Sequence, residues 1–198
     1  NHFKCCGDGN LNLNDDGDEE TRRHTASTLL KEYIDQNFPN SNVIVLGDLN
    51  DELTDNTNNN VFQMIIDDPE NYLFADMEIA EGPNSNWSFP NWPSHLDHIL
   101  ITNELFESNN YIETIRVDDY MSGGFSQYDQ NISDHRPVAI RFQSSIGDLN
   151  SDDSIDILDV VLAVNLVLSS DYSNVADLNS DDVVDVLDII LLINLILN

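Results

Sequence analysis

Short apolar runs that end abruptly in polar residues fill the first part of this chain, and two long apolar stretches broken by single asparagines close it. Val43-Ile44-Val45-Leu46 has no polar member, as in a strand buried on both faces, and it stops at Gly47-Asp48-Leu49-Asn50-Asp51. Leu96-Asp97-His98-Ile99-Leu100-Ile101 and Ile132-Ser133-Asp134-His135-Arg136-Pro137-Val138 also set charged residues at the mouth of an apolar strand. Glu19 and Glu20 open a helix predicted over 21–36, in which Leu29, Leu30, Tyr33 and Ile34 recur at helical spacing and pack on the sheet. Val61–Ile66 predicts a short helix closed before Pro69, whereas 73–80 fits helix or strand. Tyr111–Val117 alternates like an edge strand, 118–131 has the composition of a loop, and Val138–Phe142 makes the last strand.

Past a linker at Ser144-Ser145-Ile146 the pattern changes. The unit Gly147-Asp148-Leu149-Asn150-Ser151-Asp152-Asp153-Ser154-Ile155-Asp156-Ile157-Leu158-Asp159 recurs 29 residues later as Ala176–Asp188. Each copy runs into a predicted helix, Leu158–Leu168 and Leu187–Leu197, apolar nearly all round except at Asn165 and Asn194. Such helices must be covered, by each other and by a further surface.

Three strand ends carry Asp, two of them with His alongside, which points to one converging metal and acid-base site. With the initial Asn1-His2-Phe3-Lys4, the ordered motifs GDLND, LDHILIT and SDHRPV resemble the C-terminal half of the endonuclease/exonuclease/phosphatase superfamily across residues 1–142. The resemblance implies an α+β fold, a partial α/β/β/α four-layer sandwich over 1–143. It implies a metal-dependent phosphoesterase cutting phosphodiester bonds in nucleic acid or another phosphate ester. In that scheme His2 lies near the scissile phosphate, Asp48 orients or deprotonates the attacking water, and Asn50 holds water and phosphate. Asp97 fixes the tautomer of His135, which binds the phosphate, and Asp134 ligates Mg2+ (or Mn2+ or Ca2+). The family's N-terminal Asn and Glu ligands have no counterpart here, and Asn1–Lys4 reads as the end of a strand already under way. An upstream half is therefore expected, and residues 1–198 alone are expected to be inactive. Strand alternation turns His98 away from Asp97, His24 falls on a helix surface, and His95 stays unassigned. The aromatic segment Trp87–Pro93 either stacks on substrate or forms an apolar rim.

The duplicated unit places oxygen side chains at positions 1, 3, 5, 9 and 12 of a loop, with a backbone carbonyl at 7, which is the coordination calcium demands. One ion falls to Asp148, Asn150, Asp152, Ser154, Asp156 and Asp159, the other to Asp177, Asn179, Asp181, Val183, Asp185 and Asp188. Position 6 is Asp153 or Asp182 in place of Gly, and position 12 is Asp in place of Glu. The pair resembles a type I dockerin, which implies a small all-α, EF-hand-like domain over 147–198 with two Ca2+. It implies a cohesin-like partner or intramolecular packing for the helices, and an extracellular, secreted protein. A different class of function, a catalytically inert calcium-dependent binding or scaffold module, fits the same repeats.

Charge sharpens this picture. The 198 residues hold 37 acidic and 7 basic side chains, a net charge of −30, and residues 147–198 contain no base. A phosphate backbone is repelled by that average surface unless cations or a local basic strip intervene. The Asp15-Asp16-Gly17-Asp18 stretch reads as a solvated acidic loop in preference to a calcium cradle. Cys5 and Cys6, the only cysteines, are adjacent and so expected to pair with the missing upstream half or stay buried. The C-terminal apolar runs fall short of the roughly 18 residues a membrane span needs.

Overall fold

The computed structural model describes residues 1–106, 109–143, 146–152 and 154–197. Ser144 and Ser145 of the linker and Asp153 of the first acidic loop lie outside the described residues. The chain divides into two compact units, one made of Asn1–Phe106 with Asn110–Arg141 and the other containing the residues from Phe142 onward.

In the first unit, helix α1 spans Glu19–Asn37, capped by Asp18, whose side chain accepts from the Thr21 amide. Strand β1 (Ile44–Asp48) follows, then α2 (Gln63–Ile66), β2 (Tyr72–Phe74), α3 (Met77–Ala80) and β3 (Asp97–Thr102). Residues 73–80, which fit either state, thus divide between the end of β2 and α3. The three strands form one antiparallel sheet in the order β1-β3-β2, with Ile44 opposite Ile101 and Asp48 opposite Asp97. Strand β4 (Asn109–Thr114), helix α4 (Gly124–Asn131) and strand β5 (Val138–Gln143) complete the series, β4 pairing with β5 as a separate ribbon. Mixed helix and small sheets are therefore what this part of the chain forms.

The main core cluster lies on one side of that sheet, although β3 is buried on both faces. Val45, Leu49, Val61, Phe62, Ile65, Tyr72, Phe74 and Leu100 bury together with Ile34 of α1. β1 is not covered on both faces, as its sequence led us to expect: Val45 is buried, but Ile44 and Leu46 are 41% and 54% exposed. Alternation sends those two side chains to the opposite face, which is covered at its centre, where their partners Ile101 and Ile99 of β3 are buried, but open along β1. The buried stripe of α1 also differs from the predicted one. Leu29 and Tyr33 face solvent, while Glu20, Arg23 and Ser27 are buried along with Ile34 and the partly buried Leu30. Spacing by threes and fours is kept, but polar side chains with internal partners occupy three of these five positions.

Two further expectations are corrected. Residues 118–131 are not all loop, because 3-10 turn Val117–Tyr120 and helix α4 occupy much of the segment. Tyr128 on α4 is buried and supplies the apolar anchor that Gly, Ser and Gln concealed. Burial, one of the two alternatives for Cys5 and Cys6, is not what the structure has: both are free and exposed.

In the second unit, helices α5 (Ile157–Ser169) and α6 (Val186–Leu197) pack through Val160, Ala163 and Leu192, with Leu149, Ile155, Leu178 and Ile189 around them. The two acidic loops are folded alike. Asp159 Oδ1 accepts from the amides of Leu149 and Asn150 and its Oδ2 from Asp156; Asp188 repeats this with Leu178, Asn179 and Asp185. Ser151, Ser180 and Asp182 take left-handed backbone, which sharpens each turn. No helix is long and apolar enough to cross a membrane among the described residues.

Candidate functional site

The site lies at one end of β1 and β3, where the antiparallel register sets Asp48 opposite Asp97. Gly47 makes this end possible: its φ is 145°, and a side chain there would collide with the Asn1 backbone. His2 then forms a parallel bridge to Asp48, and the Phe3 amide donates to the Asp48 carbonyl at 2.9 Å. Asn50 adopts the left-handed region at φ 56°, its amide donating to Asp48 Oδ1 at 3.0 Å and its side chain to the Phe3 carbonyl at 3.3 Å. Asparagine tolerates this backbone better than most residues, so part of its role in the motif is conformational.

His135 arrives from the segment before β5. Its Nδ1 lies 2.6 Å from Asp97 Oδ2, and its Nε2 lies 4.0 Å from Asp48 Oδ2, with all three side chains a little over one-fifth exposed. The ring is held from several directions. Phe89 stacks on it with centroids 4.7 Å apart, Tyr128 donates its hydroxyl to the His135 carbonyl, and the Arg136 amide donates to Ser88. Arg136 itself is buried against Asp118. Ser88 Oγ accepts from the amides of Leu96 and Asp97, fixing the start of β3.

Charges in this cluster are tuned by contact. The bond to Asp97 raises the His135 pKa, against the lowering effect of burial. Burial pushes the Asp97 carboxyl up, but its hydrogen bonds with His135 and Ser88 outweigh this and leave it below the ordinary value. Asp48 is raised, by burial and then by the neighbouring Asp97 charge. The result is a pair in which Asp97 and His135 each favour the other's charged form, beside an Asp48 carboxyl that takes a proton more readily than usual.

The structure thus gathers Asp48, Asp97 and His135, which offer three ligand atoms within 4.8 Å of one another. His2 Nε2 stands at the rim, 3.6 Å from Asp48 and largely exposed. Asp134 is exposed and lines the same cleft of about 660 Å³, together with Asn50, Phe89 and Trp92, but falls outside the three-residue cluster. Asp48 and Asp134 present hard oxygen donors there, and Asp97 is committed to His135, so the donor set fits a hard divalent cation.

Sequence reasoning missed what supports this end. Arg23 is 3% exposed and donates to Asp51 at 2.8 Å and to the carbonyls of Lys4 and Cys6 at 2.7 Å each, joining α1 to both motif segments. Behind β3, Asp76 accepts from His98 at 2.6 Å and His95 at 3.0 Å, and His98 Nε2 donates to the Asp51 carbonyl at 2.8 Å. Burial lowers the His98 pKa, but the Asp76 bond more than reverses it. Alternation had turned His98 from Asp97, yet nothing local marks Asp76 as its partner, since 22 residues separate them.

A model of the Endonuclease/Exonuclease/phosphatase family matches residues 6–135. No curated protein and no solved structure matches the chain.

Proposed function

The chain belongs to the endonuclease/exonuclease/phosphatase family, a family of hydrolases acting on phosphate esters, and from that premise we propose that it is a metal-dependent phosphodiesterase. The observation that carries this reading is the His135–Asp97 pair at 2.6 Å with Asp48 facing the other ring nitrogen. Asp48, its pKa raised, orients the attacking water and takes its proton. Asn50 holds water and a phosphate oxygen. His135, its Nδ1 held by Asp97, donates from Nε2 to a non-bridging oxygen as charge builds there. His2 at the rim adds a second imidazole for the phosphate. Asp134 would hold the hard divalent cation, magnesium or in its place manganese or calcium, which neutralises phosphate charge on a surface as acidic as this one. Trp92, 77% exposed on the cleft, offers a stacking face for a base or sugar, which favours nucleic acid among phosphodiesters.

The second unit we read as a dockerin-like attachment module with two calcium sites, one per acidic loop, in a secreted protein. What supports this is the near-identical folding of the two loops and the apolar residues left exposed on their helices, among them Leu158, Leu168, Leu187 and Leu197. A cohesin-like domain is the partner that such a surface suits.

The test is hydrolysis of a small phosphodiester with magnesium by the full-length protein. His135→Ala should lower turnover by about 10²- to 10⁴-fold, as for loss of a positioned acid-base or oxyanion-stabilising group. Asp159→Ala should leave it within about twofold, because Asp159 belongs to the second compact unit. Unchanged turnover in His135→Ala, or loss as complete in Asp159→Ala, would refute the assignment.

A further inference from the structure

The loop between Cys6 and α1 brings a second set of carboxylates to one point. Asp8, Asp18 and Glu20 each offer an oxygen within 4.8 Å of the other two. Asp15 and Asp16, the carboxylates that the acidic run made conspicuous, are not among them.

Glu20 sets this group apart from an ordinary acidic turn. The residue is 2% exposed. Its Oε1 accepts from the Gly9 amide at 2.7 Å and faces Arg23 at 3.2 Å. Its Oε2 is buried and has no hydrogen-bond partner among the described residues. A buried carboxylate oxygen stripped of water and left unpaired is expensive, and native structures fill such a vacancy with a donor or a cation. Arg23 does not fill it, since that guanidinium is divided among Glu20, Asp51 and two carbonyls. Loop backbone also presses on the carboxylate. Gly7 has φ 116°, and a side chain at that position would strike the Glu20 oxygens.

We propose that Asp8, Asp18 and Glu20 form a calcium site that fixes the loop between Gly7 and Glu20, separate from the strand-end cluster. Oxygen-only donors select a hard cation, and a loop of Gly, Asn and Asp supplies further carbonyls in the loose geometry that calcium accepts and magnesium does not. Glu20, Gly7 and Gly9 line the same cleft as Asp48 and His135, so the ion orders one wall of it.

Hydrogen exchange on the full chain tests this, after chelation and then with added calcium chloride. At calcium about 100 times the dissociation constant, amides of residues 8–18 should exchange about 100-fold more slowly in the wild type. Asp8→Ala removes an exposed ligand whose own hydrogen bonds go no further than Asn10, so folding is not at stake. Glu20→Gln keeps the shape of the buried ligand and removes its charge. Each should weaken the calcium response of residues 8–18 by about tenfold or more in concentration, as loss of a charged ligand does. Amides of 148–159 should respond as in the wild type. Exchange of 8–18 indifferent to calcium in the wild type, or an unaltered response in either variant, would overturn the site. Because exchange is read and not hydrolysis, a chain without phosphodiesterase activity would leave this result intact.

Discussion

Replacing Arg23 by methionine isolates the link between α1 and the motif strand. Methionine fills much of the same volume, but it abandons the buried carboxylates of Glu20 and Asp51 and the carbonyls of Lys4 and Cys6, all now served by one guanidinium. Removing one partner of a buried ion pair costs about 3–5 kcal/mol, because the remaining charge is left uncompensated. We expect the lower end at neutral pH, about 3 kcal/mol, since a carboxyl in this position escapes part of the penalty by taking a proton. Burial already raises the Asp51 pKa with Arg23 in place to oppose it, and without Arg23 it rises further. The sign of the pH dependence follows. A carboxyl whose folded value lies above its unfolded value costs nothing below the unfolded value, about 3.9, and its cost grows as pH rises through the folded one. The deficit should therefore be largest at neutral pH and shrink toward about pH 4. Urea unfolding in chelator, followed by the fluorescence of Trp87 and Trp92, reads the first unit, which contains both tryptophans. With slopes of about 1–3 kcal/mol per molar, the midpoint should fall by about 1–3 M. A midpoint unchanged at neutral pH, or a deficit equally large at about pH 4, would refute the claim that Arg23 neutralises these carboxylates.

Asp97→Asn, studied by proton NMR of metal-free protein, should lower the titration midpoint of the His135 ring. The wild-type bond raises it, so the stability it contributes is present below about 6.5 and is lost as pH climbs through the folded value; an unmoved midpoint would count against the pairing. Asp76→Asn should destabilise by about 3–5 kcal/mol at neutral pH, since it strips a buried His98 of its anion. Burial favours the neutral Asp76, but bonds from His95 and His98 prevail and depress its pKa, so the loss should fade as acid protonates the wild type; a penalty that persists in acid would refute it. Chelation should reduce far-UV helicity through α5 and α6 if calcium holds the two acidic loops, and a spectrum unchanged in excess chelator would argue against those sites.

Much of this protein is written locally. GDLND, LDHILIT and SDHRPV each end a strand with the residue types phosphodiester chemistry needs, and strand alternation alone says that Asp97 and His98 face opposite ways. The repeat of the acidic loop 29 residues on is legible from side-chain oxygens at fixed spacing, because a turn of that kind is a local object. Long-range pairing is not. That Asp48 sits opposite Asp97 is set by antiparallel register, and that His135 reaches Asp97 depends on Tyr128, Phe89 and Arg136 fastening one segment. Hydropathy misread α1, ranking Leu29 and Tyr33 as core, because burial there is decided by which polar groups find partners across the fold: Arg23 with Asp51 is buried, and an unpaired apolar face is not. The carboxylates of Asp8 and Glu20 are likewise 12 residues apart and ordinary in sequence; only the loop that folds Gly7 over Glu20 makes them neighbours.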